Sequence, residues 1–191
     1  MKLLLFIAGL FVTSSHVVAG TVVPSPKTID LSTSKVNWKA YKVTGAHEGM
    51  MKFKSGNLIF DGETLIGGQL EVDMNTIDVS DLKGAGKGKL EGHLKSEDFF
   101  SVVKHPAATI NITKVTSRGL PGEYKITANI TIKNTTKEIK FNATAKDGAG
   151  QATIKLDRSD FDIKYGSGSF FENLGDKTIY DEFDLTVSIA Y

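Results

Sequence analysis

From Lys35 onward, apolar and polar residues alternate with a period of two in one segment after another. Val36, Trp38 and Ala40 share a face against Lys35, Asn37 and Lys39. Met51 and Phe53 alternate with Lys52 and Lys54, and Leu70, Val72 and Met74 with Glu71, Asp73 and Asn75. Ala108, Ile110 and Ile112 follow the same rule, as do Tyr124 to Ile132, Ile139 to Ala145, Ala152 to Leu156 and Phe183 to Tyr191. Successive side chains of a strand point to opposite faces, so this pattern predicts half-buried antiparallel strands. With Leu58 to Phe60 as a further short strand, about nine strands are expected. Ser55-Gly56, Asp61-Gly62, Gly67-Gly68, Pro121-Gly122 and Asp147-Gly148 are the turn signals between them. The fold class is all-β, and strands of this kind close into a barrel or stack as a sandwich.

Two segments break the alternation. In Ser80 to His105, Leu90 and Leu94 stand four apart, a helical spacing, which predicts a short helix. Ser96 followed by Glu97 and Asp98 has the form of a helix cap with acids in the first turn, and His105-Pro106 would stop any helix. Lys83, Lys87 and Lys89 sit among glycines and read as a solvated connector. The second segment, Ser159 to Asp181, gathers Phe161, Tyr165, Phe170, Phe171 and Tyr180 around Gly166 and Gly168. It predicts a long aromatic loop, of the kind that forms the mouth of a site.

The first residues belong to a different pattern. Met1-Lys2 gives a basic start, Leu3 to Val12 an apolar run, and Val17-x-Ala19 small residues at its end. This is the form of a secretory signal peptide, residues 1–19, with cleavage expected near Ala19 and Gly20 to Tyr191 remaining as a single domain. The run is shorter than the roughly 20 residues a stable membrane span requires. There are no cysteines, so an exported chain would rely on its core rather than on disulfides, and it lacks the lipid-attachment cysteine of a lipoprotein. A periplasmic or secreted location is expected. Charge is balanced, with 23 Lys+Arg and 22 Asp+Glu, so no field is available to hold nucleic acid.

Catalytic patterns are incomplete. His47-Glu48 opens a zinc-hydrolase word whose second histidine would fall at position 51, which is methionine. His47, Glu48 and His93 could meet in space, but no metal-ligand spacing supports it, and no metal or cofactor is expected. Tyr165 to Ser169 lacks the full Gly-x-Ser-x-Gly elbow. The Asn-x-Ser/Thr triplets at Asn111, Asn129, Asn134 and Asn142 read as ordinary strand composition. No nucleophile, base and orienting group occur together, and no enzyme is expected.

A barrel of about eight strands is wide enough either to be filled by side chains or to hold one small ligand. The inward faces mix large with small residues: Trp38 with Ala40, Ile130 with Ala128, Phe141 with Ala143 and Ala145. A filled core and a partly empty one look the same at this level.

Four stretches add a resemblance. Leu90 to Ile110, "LEGHLKSEDFFSVVKHPAATI", resembles the signature of the YceI-like family. Tyr124 to Phe141 is similar to that family's paired central strands, Leu156 to Ser167 to its arginine-serine-aspartate-phenylalanine segment, and Val72 to Asp81 to its strand and turn before the helix. Asn134 departs from the glycine many members carry, at a turn. The resemblance spans Ile29 to Tyr191. It implies an antiparallel lipocalin-like barrel, commonly exported, that binds a polyisoprenoid, an isoprenoid quinone or a similar long-chain lipid, for transport, storage or stress response. The alternative is a filled barrel acting as a structural or interaction module. The expected ligand-binding residues are Trp38, Phe53, Ile110, Ile112, Phe141 and Phe183 on the wall, with Phe161, Tyr165, Phe170 and Phe171 at the mouth. Arg158 and Lys164 are candidates to meet a polar headgroup. Oligomeric state is left open, a homodimer being one option.

Overall fold

The computed structural model describes residues 23–191. The expected signal segment lies outside the described residues. Nine strands follow in order: β1 (Ser25–Thr28), β2 (Lys35–Lys42), β3 (Gly45–Asp61), β4 (Thr64–Val79), β5 (Ala107–Ser117), β6 (Glu123–Ile132), β7 (Thr135–Lys146), β8 (Ala149–Asp157) and β9 (Ile179–Ala190), with one helix, α1 (Gly84–Lys95), between β4 and β5. All named ladders are antiparallel. β2 to β9 form a ring, because β3 pairs with both β2 and β4, and β9 with both β2 and β8. β1 lies outside the ring, paired to the second half of β3. The expected eight-stranded antiparallel barrel, with its short helix and long loop, is the fold.

Three sequence expectations change. Ser55-Gly56 is not a turn: β3 runs through it as a single 17-residue strand, and Leu58 to Phe60 is its second half. Gly67-Gly68 likewise lies inside β4. These long strands are bent by register shifts between Met50 and Lys52, Phe53 and Ser55, and Ile59 and Phe60. Bulges bend a strand locally, which is how one strand can serve two neighbours on the same edge. Other expected turns stand: Pro121-Gly122 lies in the β5–β6 connection, and Asp147-Gly148 is a two-residue turn where both φ angles are positive (52° and 78°), the form that matches strand twist in a hairpin.

The helix is also displaced. α1 consists of the Gly-rich lysine segment itself, and Ser96 ends it instead of starting it, its N–H donating to the His93 carbonyl. Gly84, Gly86, Gly88 and Gly92 disfavour a helix by about 1 kcal/mol each relative to alanine, and Lys83 supplies no side-chain cap. Tertiary contact compensates. Leu90 and Leu94 are partly buried on the barrel, Lys87 Nζ lies 2.6 Å from Asp78 Oδ1, and the Val79 N–H donates to Glu91 Oε1 at 2.9 Å.

The two ends of the barrel are finished differently. At one end the Leu65 N–H donates to the Tyr124 hydroxyl at 3.1 Å, and the Phe60 and Tyr191 rings pack at 5.0 Å. At the other, α1, the segment after it and the long β8–β9 connection fold over the opening. That connection carries two short 3-10 turns, Arg158–Phe161 and Gly175–Lys177.

Candidate functional site

The barrel interior is not filled. It holds an apolar chamber of about 130 Å³ and a smaller one of about 70 Å³ toward the α1 end, and Met51, Phe100, Phe183 and Leu185 border both. The larger chamber exists because of register. Ala143 of β7 stands directly opposite Ala152 of β8, and Ala145 opposite Gly150, so small residues face small residues and no large side chain from the neighbouring strand covers them. Phe53, Ile110, Ile112, Phe141 and Phe183 all lie on this wall, together with aliphatic residues of the other strands. Trp38 lies on the smaller chamber, with Ala40, Phe99, Ile163 and Arg158. Trp38 packs over Gly49 of β3, where a Cβ would stand 2.7 Å from its Cζ2; only glycine permits that approach.

Arg158 closes the α1 end from within. It is 5% exposed. Its Nε donates to the Tyr180 carbonyl (3.2 Å), Nη1 to the carbonyls of Ile163 (3.2 Å) and Tyr165 (2.7 Å), and Nη2 to that of Ile179 (3.0 Å). Nη2 also lies 3.1 Å from Asp181 Oδ1, an ion pair beside the four hydrogen bonds to carbonyls; Asp181 Oδ1 is buried and accepts no hydrogen bond. Asp181 in turn accepts from the hydroxyls of Ser167 (2.9 Å) and Ser169 (2.7 Å) through Oδ2. Burial pulls the guanidinium below its ordinary pKa, and the charges of Asp181 and Asp157 oppose that. The sequence suggested an exposed cation free to meet a headgroup; the structure instead shows a buried one that ties the long loop to β9.

The expected mouth residues have separate places. Phe161 is 1% exposed, in the core beneath its 3-10 turn. Tyr165 packs edge-on against His93 at 4.5 Å and tilted on Phe99 at 5.4 Å, covering the α1 end from outside. Phe170 and Phe171 are about half exposed and off the chamber walls. Lys164 lies over the Phe170 ring at 5.2 Å and pairs with Asp162 at 2.6 Å. Asn134 is an exposed turn residue. Met51, Phe99, Phe100, Leu185 and Val187 line the chambers and were not among the expected site residues. Alternation marks Met51, Leu185 and Val187 as inward; nothing periodic marks Phe99 or Phe100.

His47 and His93 do not converge. His47 Nδ1 lies 2.7 Å from Asp81 Oδ2, whose other oxygen accepts from the Glu48 N–H at 3.1 Å. Burial works to raise the Asp81 carboxyl, but the hydrogen bonds of His47 and the Glu48 N–H outweigh it and hold the carboxyl below its usual range. His93 is held by Phe99 and Tyr165. Among the described residues no three His, Asp or Glu side chains form a metal-holding group, and no helix is long and apolar enough to cross a membrane.

Known proteins share both the sequence and this architecture. The family profile described as YceI-like domain matches residues 28–191. A UPF0312 protein of Ectopseudomonas mendocina (strain ymp) is 32% identical over 136 residues, covering 66% of this chain and 69% of the relative. Protein YceI of Escherichia coli O157:H7 is 30% identical over 151 residues, covering 74% and 71%. Among solved structures, BcnA of Burkholderia cenocepacia superposes with a TM-score of 0.67 at 19% identity, covering 85% of this chain and 99% of that one. A polyisoprenoid binding domain from Saccharophagus degradans, implicated in plant cell wall breakdown, superposes with a TM-score of 0.57 at 12% identity, covering 85% and 95%. With its eight-stranded ring, its apolar interior and a family match across nearly all of the described residues, the chain belongs to the YceI-like family.

Proposed function

We propose that this protein is an exported lipid-binding protein that holds a polyisoprenoid or other long-chain apolar ligand inside its barrel, as a carrier or reservoir and not as an enzyme. The observation that carries this reading is the pair of contiguous apolar chambers, walled by aliphatic and aromatic side chains and bordered by small residues on β7 and β8. The polyisoprenoid-binding neighbour from Saccharophagus degradans supports the ligand class, and the basic-then-apolar start of the chain supports export. Burial of apolar surface returns about 0.8 kcal/mol per CH2-sized group, or roughly 4 kcal/mol for a five-carbon isoprene unit before ordering costs. Selection would then follow length and width of the chain rather than many hydrogen bonds.

The larger chamber is close in size to an engineered cavity of about 150 Å³ that accepts benzene. A long chain therefore requires Met51 and Phe100, which border both chambers, to swing aside. Methionine is suited to that, being unbranched and flexible. Arg158 is paired with Asp181 and bonded to four carbonyls, so a headgroup entering the smaller chamber would meet a neutralised guanidinium and apolar walls.

The only tryptophan of the chain is Trp38, on the smaller chamber, and its emission reports occupancy. Titration with geranylgeraniol in detergent micelles is expected to shift or quench that emission saturably, and Ala143→Leu, which fills the larger chamber, is expected to abolish the change. No saturable change, with no lipid retained through gel filtration, would sink the reading.

A further inference from the structure

The chambers lie behind covered ends. Opening one end would displace the Arg158 network, and opening the other the Tyr124, Phe60 and Tyr191 seal. Around the circumference, the β7–β8 ladder is incomplete. β7 and β8 pair only where Ala143 to Lys146 meet Ala149 to Ala152. Beyond that point Thr135 to Asn142 of β7 pair with β6 on one edge and with no strand on the other, and Thr153 to Asp157 of β8 pair with β9 alone. The 3-10 turn Arg158–Phe161 crosses the far end of this gap. There Lys137 Nζ lies 3.0 Å from Asp160 Oδ1, and Lys133 Nζ donates to the Asp162 carbonyl at 3.2 Å. A seam is left between Glu138–Asn142 and Thr153–Asp157.

The seam adjoins the larger chamber. Phe141 and Ile154, inward residues on its two lips, both line that chamber. The β7 lip is the more exposed of the two: Phe141 and Ile139 are half-buried, whereas Ile126 and Ala128, their register partners on β6, are 0% exposed, and Ile154 and Leu156 on the β8 lip are buried. Ile126 lines the same chamber, so the chamber alone does not account for the exposure of Phe141.

We propose that the seam between β7 and β8 is the passage by which an apolar chain enters and leaves the larger chamber. This rests on the lipid-binding reading above. Parting the lips breaks no strand ladder, because none is made there, whereas parting any paired strands leaves backbone groups without partners. The lips are edges, and edges invite pairing with another strand. Lys140 and Lys155 point outward from them, and lysines on an edge act against such pairing. That leaves the gap to a small ligand.

The chain has no cysteine, so Asn142→Cys with Thr153→Cys gives a single bridgeable pair. These are the next outward positions beyond the Ala143–Ala152 pair and lie off the chamber wall. If the lips stand too far apart for a disulfide, a bis-maleimide spans the same two sites. The probe is NBD-labelled farnesol in self-quenched phosphatidylcholine vesicles, and loading is read as dequenching over time. Bridging is expected to slow loading at least tenfold with the final occupancy unchanged, and reduction of the disulfide is expected to restore the rate. Asp160→Asn, which loosens the far end of the seam, is expected to speed it. Equal loading rates in fully bridged and unbridged protein, with unchanged melting curves, would overturn the passage and leave lipid binding intact. Absence of uptake by the wild-type protein would overturn both.

Discussion

At the scale of single residues, Arg158 and Asp181 hold the loop to the barrel. Breaking a buried pair by removing one partner strands a charge, at a cost of about 3–5 kcal/mol. Arg158→Met is therefore expected to lower unfolding free energy by about that amount in urea titration, because it also strips the carbonyls of Ile163, Tyr165, Ile179 and Tyr180 of their donor. A loss under 1 kcal/mol would mean that water replaces the guanidinium freely. Asp30 gives the pH dependence. Its carboxylate accepts from the Ser32 hydroxyl and N–H and from the Thr33 hydroxyl, and these hydrogen bonds lower its pKa, with the Ser32 hydroxyl first. A lowered folded pKa means that its stabilising contribution is present above the ordinary carboxyl pKa, about 4, and is lost as pH falls through the lower folded value. Melting temperatures of wild type and Asp30→Asn should therefore differ most near neutral pH and converge in acid. A gap that widens in acid would reverse that assignment.

At the scale of elements, the strands were legible and their boundaries were not. Period-two alternation located the inward faces of β2, β6 and β9 because each is apolar on one side along its length. It misread Ser55-Gly56 and Gly67-Gly68 because a glycine that permits close approach looks like one that permits a turn. At Gly56 a Cβ would meet Leu70 Cδ2 at 2.6 Å and Ile29 Cδ1 at 3.0 Å: the reason for glycine there is packing. The helix was misplaced for a related reason. Local propensity speaks against "GAGKGKLEGHLK", and tertiary contacts with β4, Phe99 and Tyr165 override it. The glycines then offer a test. Around Gly86 and Gly88 a Cβ meets open space, so replacing both with alanine is expected to stabilise the protein by up to about 1 kcal/mol each, raising the melting temperature by roughly 2–4 °C per kcal/mol for a domain of this size. Gly49→Ala, by contrast, drives a methyl into the Asp78 carbonyl of β4 and the Trp38 ring and is expected to cost about 1–3 kcal/mol. Equal effects of the two changes on the melting midpoint would contradict the account of both elements.

At the scale of the whole molecule, the chamber is a product of register, which alternation does not contain. The sequence shows Ala143 and Ala145 on an inward face, and Gly150 and Ala152 on another. Only the pairing of Ala143 with Ala152 and of Ala145 with Gly150 places the small residues together and leaves volume. Alternation, by contrast, makes Phe53, Ile110, Ile112, Phe141 and Phe183 legible as inward residues, while Phe99 and Phe100, in a segment without periodicity, are not. The aromatic loop was legible as a loop, but its Phe161 is core and its Phe170 and Phe171 face outward. What the molecule as a whole then offers is an apolar interior closed by a buried ion pair at one end and an aromatic seal at the other. Native mass spectrometry of the protein purified without detergent from its own host tests this most directly. A species heavier than the polypeptide by one apolar lipid is expected, released by organic extraction and absent from Ala143→Leu. A spectrum of bare polypeptide alone, from wild-type protein that also takes up no polyprenol from vesicles, would contradict it.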